Sequence, residues 1–171
     1  MRPFLALPLV LAQSLALVLA ACATVERYDA AGDIHAFLVA IRDNDKAAFD
    51  QHVDRPALKA QIKSRLTASM IQRGGALGGL LAQTLGGVSD ALVDGALQPQ
   101  VFLAVAEAKG YRPSQPLPGR MAITGSLRQL QDDRVCVTGK KDGPCLLVFR
   151  NEAGTWRLIA FEGPLDTLKL G

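Results

Sequence analysis

Histidine and cysteine are scarce in this chain, whose 171 residues include two histidines and three cysteines. The sequence has no G-x-S-x-G or H-E-x-x-H motif, and the glycines between 74 and 79 do not lead into a phosphate-binding G-K-[ST] sequence. His35 and His52 fall on separate predicted helices, which is a weak signal for a metal site. We therefore predict no catalytic residue, no metal ligand and no cofactor.

Positive and negative side chains are present in similar numbers. There are 19 lysines and arginines against 16 acidic residues, which gives a formal net charge of +3. A surplus this small does not indicate a nucleic-acid-binding surface, so no nucleic-acid partner is predicted.

Residues 3–21 contain no charged side chain, and Arg2 and the amino terminus are the only positive groups ahead of them. A basic start, an apolar centre and small residues at the end are typical of a secretory signal peptide. A membrane-spanning helix needs about 20 apolar residues, so an uncleaved anchor helix is the alternative that length alone leaves open.

The segment ends in Leu19-Ala20-Ala21-Cys22, which resembles the bacterial lipobox. The resemblance implies cleavage before Cys22, a thioether-linked lipid on its sulfur and acylation of the new amino terminus. Ala23 implies, by resemblance to the sorting rules of Gram-negative bacteria, the periplasmic face of the outer membrane. A signal peptide without lipid and with a chance cysteine is the other alternative.

These features predict three parts of the chain: a signal peptide over 1–21, a tether over 22–32 and one domain over 33–171. The domain is long enough to bury a core of its own. We expect a helical part over 33–110 and a sheet part over 120–163.

The helical part shows recurrent start signals. Asp33 is predicted to cap a helix with an apolar stripe at Ile34, Phe37, Leu38 and Ile41. Further starts are predicted at Asp45, at Asp54 with Pro56, at Asp90 and at Pro99.

The sheet part begins after the proline-rich loop 111–119. Strands are predicted near 121–131, 134–138, 145–150 and 155–161, with turns at 132–133 and 151–154. In the last strand Trp156, Leu158 and Ala160 should share one face, and Arg157, Ile159 and Phe161 the other. Helices followed by an antiparallel sheet of about four strands predict an α+β fold. A helix-on-curved-sheet cone resembling the nuclear-transport-factor-2-like class is one version.

Cys136 and Cys145 flank a turn-rich stretch in a predicted hairpin, which should bring them opposite each other. We predict a structural disulfide, as expected in an oxidising compartment. A redox pair and a metal site are the alternatives, although the spacing is not C-x-x-C and two cysteines are too few ligands for zinc.

The block "FLVAIRDNDKAAFDQHVDRPALKAQIKSRL" at 37–66, with "DALVDGALQPQVFLAVAEAKG" at 90–110, is similar to the bacterial domain of unknown function 2939. The resemblance covers about residues 28–110, and family members more often carry an aromatic residue at the position of Arg55. It implies a helical element and a cell-envelope setting, and it assigns no catalytic residue.

Two segments of the sequence suggest functional surfaces. Arg55, Lys59, Lys63, Arg65 and Arg73 lie in a stretch without acids and could meet anionic lipid headgroups, with a solvated helix face as the alternative. The uncharged, glycine-rich 74–89 could be a lid, a partner-binding segment or a membrane-touching helix, or could simply pack closely in the core.

Together these features predict a non-enzymatic protein, lipid-anchored in the envelope, that binds a partner protein or a small apolar ligand. An envelope hydrolase with an unrecognised site and a structural component of an envelope assembly are the alternatives.

Overall fold

The structure is a computed structural model. It describes the backbone of residues 7–84, 90–140 and 142–162, and the side chains of 24–69, 71–72, 90–140 and 142–162. These residues form six helices followed by a four-stranded antiparallel sheet in the order β1-β2-β3-β4. The predicted α+β class is therefore confirmed, while the cone-shaped version of it stays a prediction.

The helices are α1 (Leu7–Arg42), α2 (Lys46–Gln51), α3 (Arg55–Thr84), α4 (Asp90–Ala96), α5 (Pro99–Ala108) and α6 (Arg120–Gly125). Four predicted starts are confirmed. Asp45 Oδ1 accepts a hydrogen bond from the Ala48 backbone N–H at 3.0 Å, and Asp54 Oδ1 accepts one from that of Ala57 at 3.0 Å. Both bonds satisfy amides that the first turn of a helix leaves without a partner.

The start predicted at Asp33 is wrong, because α1 is continuous from Leu7 to Arg42. Asp33 does not cap a helix; its Oδ2 accepts a hydrogen bond from the backbone N–H of Trp156 at 2.8 Å. The structure also differs from the predicted tether over 22–32, since residues 24–32 are helical and Ala30 and Ala31 are fully buried. Packing therefore begins before the predicted domain boundary at residue 33.

The glycine-rich segment is helical over 74–84, as the C-terminal part of α3. Its side chains lie outside the described residues, so its role as core, lid or binding surface stays a prediction. Across the described residues, no helix has the length and apolarity needed to cross a membrane.

The strands are β1 (Leu127–Gln129), β2 (Arg134–Thr138), β3 (Cys145–Glu152) and β4 (Thr155–Phe161). The turn predicted at 132–133 is confirmed, and the one predicted at 151–154 is shorter, because β3 continues through Asn151 and Glu152 and only residues 153–154 form the turn. The first half of the predicted strand 121–131 is wrong, because Arg120–Gly125 forms α6, which packs on α1. A short apolar run has no periodicity that separates helix from strand, so tertiary packing decides.

A β-bulge at Ile159 changes which side chains of β4 face the core. Val148 is paired with Ala160 and Phe149 with Leu158, so β4 has one extra residue. A bulge residue shifts the alternation of faces by one. Phe161 therefore lies on the same face as Leu158, against the prediction, and its ring lies 5.6 Å from that of Phe102.

The core lies between this face of the sheet and the helices. The Phe37 ring on α1 lies 5.5 Å from that of Phe49 on α2 and 5.8 Å from that of Phe149 on β3. The outer edge of β4 is covered by residues 52–54, because Leu158 N–H donates to His52 O at 2.8 Å and Asp54 N–H donates to Leu158 O at 3.0 Å. A covered edge cannot pair with another chain.

Candidate functional site

The exposed face at the start of the described part of α1 is apolar and aromatic. Val25 is 68% exposed and Tyr28 is 44% exposed. The Arg120 guanidinium of α6 lies over the Tyr28 ring, 4.7 Å from its centroid, and the next residue, Met121, is 74% exposed. We call Val25, Tyr28, Arg120 and Met121 the Tyr28 patch.

Gly32 allows Arg120 to take this position. A Cβ atom at residue 32 would lie 1.9 Å from Arg120 Nη2, which is far inside van der Waals contact. Tyr28 and Gly32 are one helical turn apart, so the guanidinium rests on the ring and on the bare backbone of the following turn.

The adjoining face of the same helical segment is fastened to the sheet by acidic side chains, each of which directly follows a residue on the face that carries Tyr28. Glu26 Oε2 accepts a hydrogen bond from Gln129 Nε2 at 2.8 Å. Asp29 Oδ2 accepts one from the Trp156 indole N–H at 3.2 Å, and Asp33 accepts the backbone N–H of the same residue. Trp156 itself is almost fully buried. The carboxylates of this segment therefore point toward the sheet.

Cys22 lies within α1, three residues before Val25, and its side chain is outside the described residues. Cys136 and Cys145 form a disulfide with a Cα–Cα separation of 5.5 Å, which confirms the predicted pairing. The cysteines are not directly opposite, since Cys136 is paired with Val148 and Thr138 with Cys145. A bulge at Leu146 places Cys145 on the same face of the sheet as Cys136.

An open depression borders the disulfide. It has a volume of about 650 Å³ and is lined by Arg128, Gln129, Leu130, Gln131 and Arg134, along the edge strand β1 and the turn after it. Arg128 is exposed, and its Nη2 lies 3.1 Å from Cys145 Sγ. Four of the five lining residues have polar side chains, and the depression is open to solvent, unlike the enclosed apolar pockets that hold small apolar ligands.

The predicted basic surface is paired with acids where its side chains are described. Arg55 bonds Asp50 at 2.6 Å, Lys59 bonds Asp94 at 2.6 Å, and Lys63 bonds Asp90 at 2.6 Å. Arg65 also has a partner, and the side chain of Arg73 lies outside the described residues. Because α2 and α4 supply the acids, this pairing favours a solvated, structural helix face, while headgroup binding there stays a prediction.

The shifted pKa values follow from ion pairing. Burial of Asp50 opposes its ionisation, but hydrogen bonds from Lys46 and Arg55 outweigh this effect and lower its pKa. The hydrogen bond from Lys63 lowers the pKa of Asp90, and the hydrogen bond to Glu152 raises the pKa of Arg150. The pKa values of these groups are shifted away from neutral pH, whereas a general acid or base works best with a pKa near neutral pH.

The two histidines lie apart. His35 Nδ1 lies 2.9 Å from the carbonyl oxygen of Pro118, and His52 is 8% exposed with no partner for Nδ1 in the described part of the chain. Within that part, no group of three or more metal-ligating side chains is brought together.

Residues 15–105 match the model of a family described as protein of unknown function, DUF2939. The chain belongs to the DUF2939 family. The match begins within α1 and ends within α5, so the family segment is helical, and α6 and the sheet lie beyond it. No curated protein and no solved structure matches the chain. The DUF2939 description assigns no activity, so function must be argued from the residues.

Sequence reasoning missed the Tyr28 patch. Val25, Tyr28 and Gly32 have the i, i+3, i+7 spacing of one helix face and could have been noticed once residues 24–32 were assigned to a helix. Arg120 and Met121 gave no local signal, because their position depends on the packing of α6 on α1.

Proposed function

We propose that this DUF2939 protein is a lipid-anchored component of the bacterial cell envelope that acts by binding a partner protein. The lipid would be attached at Cys22, and the domain would stand at the periplasmic face of the outer membrane. The observation that carries the proposal is the lipobox Leu19-Ala20-Ala21-Cys22, which directly precedes the packed part of α1.

The disulfide supports the exported location. Disulfides persist in oxidising compartments such as the periplasm and are rare in the cytosol. The Cys136–Cys145 bond joins neighbouring strands away from the N-terminal segment, so it is an argument independent of the lipobox.

The depression at β1 supports a protein partner over a small apolar ligand. The depression is open, Arg128 and Arg134 give it positive charge, and β1 is an edge strand. An edge strand offers backbone hydrogen-bonding groups that an extended segment of a partner can use, and arginines attract acidic side chains.

Replacing the lipidated cysteine tests the anchor. The Cys22→Ser variant should move from the membrane fraction to the soluble fraction, or accumulate as unprocessed precursor without lipid. A Cys136→Ser variant is the matched control, because it removes another cysteine and should stay with the membrane. Wild-type levels of mature, membrane-bound Cys22→Ser protein would overturn the anchor.

Charge reversal at the depression tests the partner site. The full-length protein purified from its own envelope should carry a protein partner detectable by native mass spectrometry. Arg128→Glu with Arg134→Glu should remove most of that partner, while Lys109→Glu, a charge reversal at another exposed position, should not. If the variant with Arg128→Glu and Arg134→Glu retains as much partner as Lys109→Glu does, the depression is excluded as the binding site.

A further inference from the structure

We propose that the Tyr28 patch rests on the lipid headgroups of the membrane in which the protein is anchored, so that the domain has a fixed orientation on the bilayer. This inference rests on the proposed lipidation of Cys22. It adds a non-covalent contact between the folded domain and the membrane, and it assigns that contact to Val25, Tyr28, Arg120 and Met121.

The geometry of α1 brings the patch close to the anchor. Cys22 and Val25 belong to the same helix and are three residues apart, which corresponds to a rise of about 4.5 Å along the axis. Tyr28 follows after one further turn. The headgroup region on each side of the hydrocarbon core is roughly 5–7 Å thick, so acyl chains inserted from residue 22 hold Val25 at about headgroup depth. The Tyr28 Cα is about 9 Å from that of Cys22 along the axis, at the outer boundary of this region, and helical side chains lean back toward the N-terminus of their helix.

The chemistry of the patch suits that depth. Tyrosine is enriched at membrane interfaces because its ring is apolar and its hydroxyl is polar. The guanidinium of Arg120 is held over the ring and supplies a positive charge that can pair with lipid phosphates. Val25 and Met121 add apolar surface that the described part of the domain leaves exposed.

The acids of the same segment do not oppose this contact. Glu26, Asp29 and Asp33 turn toward the sheet, where they accept hydrogen bonds from Gln129 and Trp156. Carboxylates without a partner would be repelled by anionic headgroups, but here each accepts a hydrogen bond from the sheet, although Asp29 remains exposed.

The basic residues of α3 are less suited to the membrane. Arg55 bonds Asp50 of α2, which begins just after α1 ends. Residues 25 and 42 of α1 are about 25 Å apart along the helix axis, so this ion-paired cluster lies at the end of α1 remote from Cys22. Its charges are compensated by acids, whereas the Tyr28 patch is apolar and lies next to the anchor.

The experiment uses tryptophan fluorescence in the full-length, lipidated protein. Tyr28→Trp and Met121→Trp each place a reporter in the patch. Leu92→Trp, at a position of α4 that is 69% exposed, is the matched control beside the remote cluster. The native Trp156 is buried and provides an internal reference. The proteins are reconstituted into phosphatidylethanolamine and phosphatidylglycerol vesicles whose acyl chains carry bromine near the headgroup.

We expect the brominated lipids to quench about half of the emission added by Tyr28→Trp and Met121→Trp, since both reporters lie at interfacial depth. The emission of Leu92→Trp should be unchanged. Non-reducing peptide mapping of the Cys136–Cys145 link confirms that each variant is folded, and Met121→Trp keeps the test valid if Tyr28→Trp disturbs Arg120.

Three outcomes are distinguishable once the mass of the N-terminal peptide has been measured. Acylated Cys22 with quenching of the patch reporters alone supports the inference. Acylated Cys22 with equal emission loss for the patch reporters and Leu92→Trp overturns the orientation and leaves the anchor intact. A protein without lipid at Cys22 overturns both.

Discussion

The two ends of the described part of α1 are built from different interactions. At the N-terminal end, Val25 and Tyr28 are exposed, and α1 is fastened by hydrogen bonds that Trp156 and Gln129 donate to its acids. At the C-terminal end, Phe37 is enclosed by three other phenylalanine rings, and the nearby α2, α3 and α4 are joined by ion pairs.

This difference separates stability from surface contact. Buried aromatic rings contribute far more to folding than exposed side chains or solvated ion pairs do. Substitution of the buried Phe37 should therefore strongly destabilise the domain, while substitution of the exposed Val25 or Tyr28 should change its contact with the membrane and leave folding almost unaffected.

Removing a ring from the C-terminal end should have the largest effect. Phe37→Ala should lower the free energy of unfolding by about 3–5 kcal/mol, because it opens a cavity among Phe49, Phe102 and Phe149. Val25→Ala, the control at the N-terminal end, should change it by about 0.5 kcal/mol or less. Urea denaturation of both variants in detergent measures the difference, and equal losses would contradict the comparison.

The disulfide between β2 and β3 should have the next largest effect on stability. Replacing both Cys136 and Cys145 with serine should cost about 2–3 kcal/mol, since the bond closes a short loop in the unfolded chain. Fractionation should still find the double variant in the membrane. Loss from the membrane of a variant that remains folded would show that the hairpin takes part in anchoring.

The ion pairs should contribute less to the free energy of unfolding than the disulfide does, and their contribution should depend on pH. The pKa of Asp50 is lowered below its ordinary value of 3.8, so its contribution to stability is present above that value and is lost as the pH falls through the lowered pKa. Asp50→Asn should cost about 1 kcal/mol or less at neutral pH, because the pair is partly solvated. Unfolding curves of wild type and variant should converge in acid and approach each other in high salt. A difference that grows in acid would contradict the assignment.

Substitution of Gly32 by alanine should have the smallest net effect on stability. Gly32→Ala gains up to about 1 kcal/mol of helix propensity but displaces Arg120 from Tyr28, whose contact is worth about 0.5–1 kcal/mol at an exposed site. The two effects should nearly cancel in the wild type. In an Arg120→Ala background, Gly32→Ala should stabilise the domain by about 0.5–1 kcal/mol. Equal effects in both backgrounds, measured by thermal unfolding, would show that Arg120 does not rest on Gly32.

Features that depend on a few neighbouring residues could be predicted from the sequence. Asp45 and Asp54 bond amides three residues ahead, so the starts of α2 and α3 follow from local hydrogen bonding. The disulfide could also be predicted, because the turn residues between Cys136 and Cys145 bring the strands together.

Features that depend on distant residues could not. Asp33 has the local pattern of a cap, but its carboxylate bonds Trp156 across the domain and α1 continues past it. The bulge at Ile159 has no marker such as glycine, and it alone moves Phe161 to the core side of β4. In the candidate site, Cys22 is recognisable from its neighbours, but the contact of Arg120 with Tyr28 requires the packing of α6 on α1.

The mass of the N-terminal peptide of the protein isolated from its own membranes tests the central claim most directly. We expect the peptide to begin at Cys22 and to carry a diacylglyceryl group on sulfur and an acyl chain on nitrogen. A peptide that still begins in the first residues of the precursor, with an unmodified thiol at Cys22, would contradict it.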